Sequence, residues 1–391
     1  MRASRFALSL AIIIGTGCGK SGPTGPQSGA GGGGGGSGGS ASMVPRVPLA
    51  LGGAGCILST AGAASCWGNS LIAALGDGSA TDYSMTPVTV SGNHTFAAIF
   101  GGVYTTCALT PAGAAWCWGN DLDGALGNGT TNAAGTVPIA VQGGPFRTMA
   151  MGFVNACGID SAGKAFCWGD NNYGALGDGG TANAPTPTAV SGTLHFASIS
   201  VGEDFGCGVA TGGAGYCWGT NTLGSLGDGT GKDSYVPVAV AGGLTWRTIL
   251  AAGAAACGLT TSGVTYCWGI GEQTGGEPVP KPALVTGAPA FTSITMGGYQ
   301  ACGLTATGAA YCWGANPKGE RGTGAPAGVV GTPAPVQGGL TFTNLVAAAG
   351  TTCGRISDGA IYCWGILKGT SITQPALTSP TPVLLVGPGS T

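Results

Sequence analysis

The chain has 391 residues, only 7% of them charged, with a formal net charge of −2 and 81 glycines. Its Lys and Arg are scattered, which excludes the basic face a nucleic-acid binder needs to displace counterions from phosphates. Hydrophobics reach 43%, too many for a disordered chain, and their alternation with small residues points to short strands and tight turns.

From the N-terminus, residues 1–17 combine Arg2 and Arg5, an apolar run from Phe6 to Ile14, and Gly15-Thr16-Gly17 ahead of Cys18. A basic start, a short apolar core and a small-residue exit are the grammar of a signal peptide, too short to span a membrane. A small residue directly before a cysteine resembles the lipobox of bacterial lipoproteins, with Gly15 standing where an aliphatic residue is usual. Cleavage before Cys18 and lipidation of that cysteine are expected. The alternative is a plain secretory peptide that leaves an unpaired thiol. Residues 18–43 then hold the lipid-anchored Cys18 and a Gly/Ser/Pro-rich stretch with Gly31 to Gly36 unbroken. Such a stretch behaves as a flexible linker with a reach of roughly 25–30 Å. The expected location is the cell surface, outer membrane or periplasm as a lipoprotein, or secretion otherwise. Contact with the membrane is expected only through the lipid at Cys18.

Residues 44–391 are organised by a hairpin that recurs seven times. Its first cysteines are Cys56, Cys107, Cys157, Cys207, Cys257, Cys302 and Cys353. Its second cysteines lie ten positions on, at Cys66, Cys117, Cys167, Cys217, Cys267, Cys312 and Cys363, each followed by Trp-Gly. The copies are 51, 50, 50, 50, 45 and 51 residues apart. A fixed period near 50 marks one supersecondary unit that needs its neighbours to bury its apolar face. In the second copy, Pro87 to Val90 reads as the first strand and Phe96 to Ile99 as the second. Thr106 to Thr110 is the third and Ala114 to Trp118 the fourth. Four antiparallel strands per unit, seven times over, make an all-β, seven-bladed β-propeller. The proline-valine strand occurs seven times, first after the first Cys-Trp-Gly and last at Pro382 to Val386. That offset predicts closure by pairing of the N- and C-terminal strands in one shared blade.

Cys107 and Cys117 lie symmetrically about Ala112, so facing positions of an antiparallel hairpin bring them within disulfide reach. Even, regularly spaced cysteines in an exported chain read as disulfides, each closing a loop worth roughly 2.5–3 kcal/mol in the chain-entropy model. A structural zinc needs four ligands, and the two histidines, His94 and His195, are not near a cysteine pair. The tryptophan of each Cys-Trp-Gly could stack on carbohydrate, but its presence in all seven copies favours packing between blades.

The run from Gly102 to Gly129, with its Thr-Cys-Ala-Leu, Cys-Trp-Gly-Asn and Leu-Gly-x-Gly, resembles the repeat of the regulator of chromosome condensation family. The resemblance covers all seven units, about residues 46–387, and implies a seven-bladed propeller that serves as a binding platform. Departures are the absence of the family's His at Thr105, the Cys pairs at two variable positions, and a loop pattern that fails after Trp268 and Trp364 and weakens after Trp313. Nucleotide exchange on a small GTPase and chromatin binding do not carry over, because an exported chain meets neither partner. Secreted bacterial members of this fold bind a protein through loops on one face, which makes the exported, lipoprotein-type member the nearer analogy.

Catalytic chemistry is not legible. His94 and His195 repeat one turn position, and no Ser-His-Asp or Cys-His set is recoverable. Asp77, Asp178, Asp228 and the Asp121-x-Asp123-Gly124 run read as tight glycine turns rather than calcium loops, which need six or more oxygens. No enzyme activity, metal or cofactor is therefore expected. The loop just before each first cysteine varies between copies, with Tyr104, Phe153, Asn155, Glu203, Asp204, Phe205, Tyr299 and Gln300 against bland Ala254 and Thr351. Aromatic and acidic residues on one face have the composition of a protein-binding patch. The sequence thus predicts a cell-surface binding or scaffold protein with a protein partner; the alternative is a glycan or cell-wall binding module.

Overall fold

The computed structural model describes residues 44, 48–69, 75–79, 83–131, 134–324, 327–367 and 377–387. The expected signal peptide, Cys18 and the linker lie outside these. The described residues form seven four-stranded antiparallel sheets, and two three-residue 3-10 turns are the only helical elements among them.

Every sheet is contiguous in sequence. Blade 1 is Leu49–Leu51, Ala54–Leu58, Ala64–Asn69 and Tyr83–Thr89, and blade 2 is Ala98–Gly101, Thr105–Leu109, Ala115–Gly119 and Gly135–Ala140. Blades 3 to 6 span residues 146–189, 196–239, 246–284 and 291–335. Blade 7 is Phe342–Ala348, Thr351–Ile356, Ile361–Ile366 and Thr378–Val386. The proline-valine strand is thus the fourth strand of its own blade, not the first of the next. Among the described residues the N- and C-terminal strands lie in different sheets, and the expected pairing between them is not formed. The physical reason is local: the fourth strand folds back on the third, Ile139 facing Cys117 and Val383 facing Cys363, and strands adjacent in sequence pair first. The ring closes by packing instead. First strands of successive blades touch all the way round, including Phe342–Ala348 of blade 7 against Leu49–Leu51 of blade 1.

Strand alternation explains the core. In blade 2, Cys107, Leu109, Ala115 and Cys117 face blade 3, where Phe146 and Trp168 complete the cluster. Ala108 and Trp118, one position off, face backward into blade 1. Each junction therefore sets the tryptophan of one blade against the disulfide hairpin of the blade before it. Six of these tryptophans are fully buried, and Trp67 is 6% exposed where it closes the ring against Cys353, Ile361 and Cys363. A second aromatic lies beside the tryptophan in blades 2 to 7, as in Phe146–Trp168 at 5.8 Å and Trp246–Trp268 at 5.6 Å. That aromatic needs a small neighbour below it. A Cβ at Gly258 would come within 2.4 Å of the Trp246 ring.

All seven expected disulfides are formed between directly opposed cysteines, with Cα atoms 4.0–4.1 Å apart. The fourth strands are sheet edges, and each carries a proline just before the residue that faces the second cysteine: Pro87, Pro138, Pro187, Pro237, Pro282, Pro333 and Pro382. A residue without an N–H blunts the edge against further strand pairing.

Candidate functional site

Antiparallel order sends the loops between first and second strands, and between third and fourth strands, to one face of the ring. Backbone bonds tie the two loops of a blade together. Asn120 N–H donates to the Tyr104 carbonyl at 2.9 Å, and Thr220 N–H to that of Asp204 at 3.0 Å. Neighbouring blades are also joined there: Val103 N–H donates to the Gly152 carbonyl at 3.2 Å, and Glu203 N–H to that of Gly253 at 3.0 Å. The face is a framework of linked loops rather than seven separate ones.

Of the eight residues expected to meet a partner, five lie at this surface. Tyr104 and Phe153 are half-buried and meet edge-on at 4.7 Å across the junction of blades 2 and 3. Glu203 is exposed and Asp204 half-buried on blade 4. Tyr299 is 38% exposed on blade 6, separated from that group by blade 5. The other three are corrected by the structure. Asn155, Phe205 and Gln300 are buried at 2%, 0% and 0% exposure. Each stands two positions before a cysteine, so it shares that cysteine's inward face. Phe205 belongs to the core of blades 4 and 5. Gln300 donates from Nε2 to the Thr351 carbonyl and Thr352 Oγ1, both at 3.1 Å, and so joins blade 6 to blade 7.

The structure adds exposed residues beyond those eight, one of them, Val103, from the same variable loop as Tyr104. Val103, Leu122, Tyr173 and Leu223 are 39%, 42%, 38% and 40% exposed, on the loops of blades 2, 3 and 4. The last three stand at the free positions of the Asn-x-x-Gly segment, which reads Asp121-x-x-Gly124 in blade 2, and an apolar residue at a turn tip was the signal available.

The aspartates serve their own loops. Asp121 Oδ1 accepts the Leu126 N–H at 3.0 Å, and Asp178 Oδ1 accepts Gly180 N–H and Asn171 Nδ2. At Asp228 burial pushes the carboxyl pKa up, but hydrogen bonds from the Thr230 backbone, the Thr230 hydroxyl and Asn221 outweigh it and hold it below its ordinary value. Among the described residues no group of three or more His, Cys, Asp or Glu is placed to hold a metal ion. His94 packs on Trp116 at 4.1 Å, while the His195 ring bonds the Ala162 carbonyl at 2.6 Å. No helix among the described residues is long and apolar enough to cross a membrane. Seven disulfides fit an oxidising, extracellular environment.

A family model for the regulator of chromosome condensation (RCC1) repeat matches residues 162–209, and a second model of the same description matches 146–175 and 291–320. No curated protein matches the chain. Among solved structures, human WBSCR16 is similar at 15% identity and a TM-score of 0.74, over 84% of this chain and 94% of that one. Prp20p from Saccharomyces cerevisiae, studied for its binding to Gsp1p and histones, is similar at 20% identity and 0.68, over 77% and 80%. Yeast RCC1 (Prp20) bound to Kap60 is similar at 19% and 0.71, over 90% of each chain. At such identities the likeness is one of fold. With the repeat matches and the seven blades together, this chain is a seven-bladed propeller that carries RCC1-like repeats.

Proposed function

We propose that this protein binds a protein partner through the loop face of blades 2 to 4, and that its role is binding rather than catalysis. One observation carries the reading: Val103, Leu122, Tyr173 and Leu223 are exposed on the same face as the Tyr104–Phe153 pair, over three adjacent blades, and Glu203 is exposed on that face too. Exposed apolar and aromatic side chains gathered on a rigid backing, with charge at the edge, suit a protein interface. The linked loops lower the ordering cost of association. We further propose that the chain is exported and tethered by a lipid at Cys18, with residues 19–43 as a spacer.

The test is affinity capture from the surface and secreted fractions of the source organism, using the oxidised protein. A Tyr104→Ala, Phe153→Ala, Tyr173→Ala variant is compared with Lys164→Ala on the opposite face. A partner held by wild type and Lys164→Ala but lost by the triple variant supports the reading. Retention by all three places the site elsewhere, and retention of polysaccharide instead of protein turns the reading to a glycan-binding module. Incorporation of labelled fatty acid that disappears in Cys18→Ala supports the tether.

A further inference from the structure

At the rim of the ring, the Leu-Gly-x-Gly part of the third-to-fourth-strand loop makes two backbone bonds. In blade 4 the Gly227 carbonyl accepts the N–H of Ala241, just past that blade's fourth strand, at 3.0 Å. Two residues on, Gly229 N–H donates to the Pro280 carbonyl of blade 5's fourth strand at 2.9 Å. Blades 1, 2, 3 and 6 make the same pair of bonds; in blade 2, for example, Gln142 N–H donates to Gly127 and Gly129 N–H to Pro185.

Blade 5 does not. Its loop is a short 3-10 turn, Glu272–Thr274, followed by only four residues before Val279–Leu284. Strand register identifies the groups left without a counterpart. Pro280 follows Val279, which faces Gly269; the equivalent in blade 6 is Gly331, which follows Val330 facing Gly314. Ala241 follows Val240, whose N–H bonds Gly215; the equivalent in blade 5 is Thr286, which follows Val285 bonding Thr265. The Gly331 carbonyl and the Thr286 N–H thus receive no clasp from blade 5. Both residues are exposed, and both line one groove of about 220 Å³ between blades 5 and 6, walled by Val279 and Leu284. A Cβ built on Gly331 would meet nothing within 4 Å, so a side chain can be placed at the edge of the groove without a clash.

We propose that this groove docks a glycine-turn loop of a partner protein, which supplies the clasp that blade 5 lacks. The guest presents a carbonyl to the Thr286 N–H and, two residues later, an N–H to the Gly331 carbonyl, with an apolar side chain against Leu284. The molecule itself sets this specification, because five of its own loops seat the same pair of groups at the equivalent junctions. This site does not rest on the loop face of blades 2 to 4 and uses none of its residues.

The probe is a cyclised peptide of residues 220–232, the blade 4 loop, titrated into the labelled full chain and followed by backbone amide NMR. The expected result is saturable shifts confined to the surroundings of Thr286, Gly331 and Thr332. Affinity is expected to fall at least tenfold for Gly331→Trp, which fills the groove, and for a peptide carrying G229P, which has no N–H at the clasping position. Thr332→Trp, at an exposed neighbour, serves if Gly331→Trp lowers the melting temperature. Absence of shifts at millimolar peptide, shifts elsewhere, or equal affinity for the filled groove or the proline peptide overturns the proposal.

Discussion

The loops of blades 2 to 4 and the loop of blade 5 leave the same Cys-Trp-Gly and end in the same kind of edge strand, yet they do different work. In the first set, buried Asp121, Asn171 and Asn221 each accept a leucine N–H at 3.0 Å, and this seats Leu126, Leu176 and Leu226 in the core. The indoles of Trp168, Trp218 and Trp268 then donate to the Ala125, Ala175 and Ser225 carbonyls of those loops. Blade 5 has Gly271 at the clamping position and no leucine. The Trp313 indole N–H and Gln273 Oε1 are buried without partners. Even so, Trp313 stays fully buried against Cys257, Cys267 and Leu259. The difference teaches that the hairpins and tryptophans hold the blades together even where the loop contributes no leucine and no indole acceptor, so the loops add to the ring without being required for its packing. Blade 6 makes the same point from another side. It keeps the Asn316 bond to the Arg321 N–H at 2.8 Å, but with arginine where the leucine stands. Burial lowers the pKa of that guanidinium, while the charge of Glu320 works in the opposite direction.

If the packing does not require the loops, the largest loss follows removal of a tryptophan. Trp168→Ala is expected to destabilise by about 3–5 kcal/mol in denaturant unfolding, and Trp313→Ala by a similar amount despite its missing clasp. A much smaller loss at Trp313 breaks the comparison. Replacing Cys107 and Cys117 by alanine is expected to cost about 2.5–3 kcal/mol at most, and the Cys257–Cys267 pair the same. Asn221→Ala, which leaves the Leu226 N–H without its acceptor, is expected to cost about 1–3 kcal/mol. Faster hydrogen exchange confined to residues 220–233 would mark it as a rim effect. Grafting residues 220–233 in place of 270–278 restores both clasping bonds to blade 5 and is expected to add on the order of 1 kcal/mol. The graft should also abolish binding of the loop peptide. The smallest effect is that of pH at Asp228. Its folded pKa lies below the unfolded value, so its stabilisation is present above the unfolded pKa and is lost as pH falls through the folded one. Asp228→Asn should flatten the acid limb of the melting curve slightly, because solvent still screens this half-buried group.

Much of the ring was legible because its signals are local. The ten-residue Cys spacing fixed Cys107 opposite Cys117, and the period fixed seven units. The allegiance of the proline-valine strand was not legible, since glycine turns flank it on both sides and only register shows that Ile139 faces Cys117. Burial of Asn155, Phe205 and Gln300 was readable in principle from their two-residue offset to an inward cysteine. The exposed tips Leu122, Tyr173 and Leu223 were hidden inside a motif that otherwise repeats. The 45-residue spacing announced the shortened blade 5. Which groups it leaves unclasped, Thr286 and Gly331, depends on register across two blades, and no local pattern carries that.

Because every blade is one unbroken stretch of chain, and Trp67 packs against blade 7 where the ring closes, the starting point of the circle is arbitrary. A permuted gene that joined residue 387 to residue 48 and opened at the 141–145 connection would leave all seven sheets whole. By the same logic, in-frame duplication of a 50-residue unit delivers a finished blade rather than parts of two. Such a ring can be lengthened, trimmed or rotated in sequence without ever leaving a strand stranded.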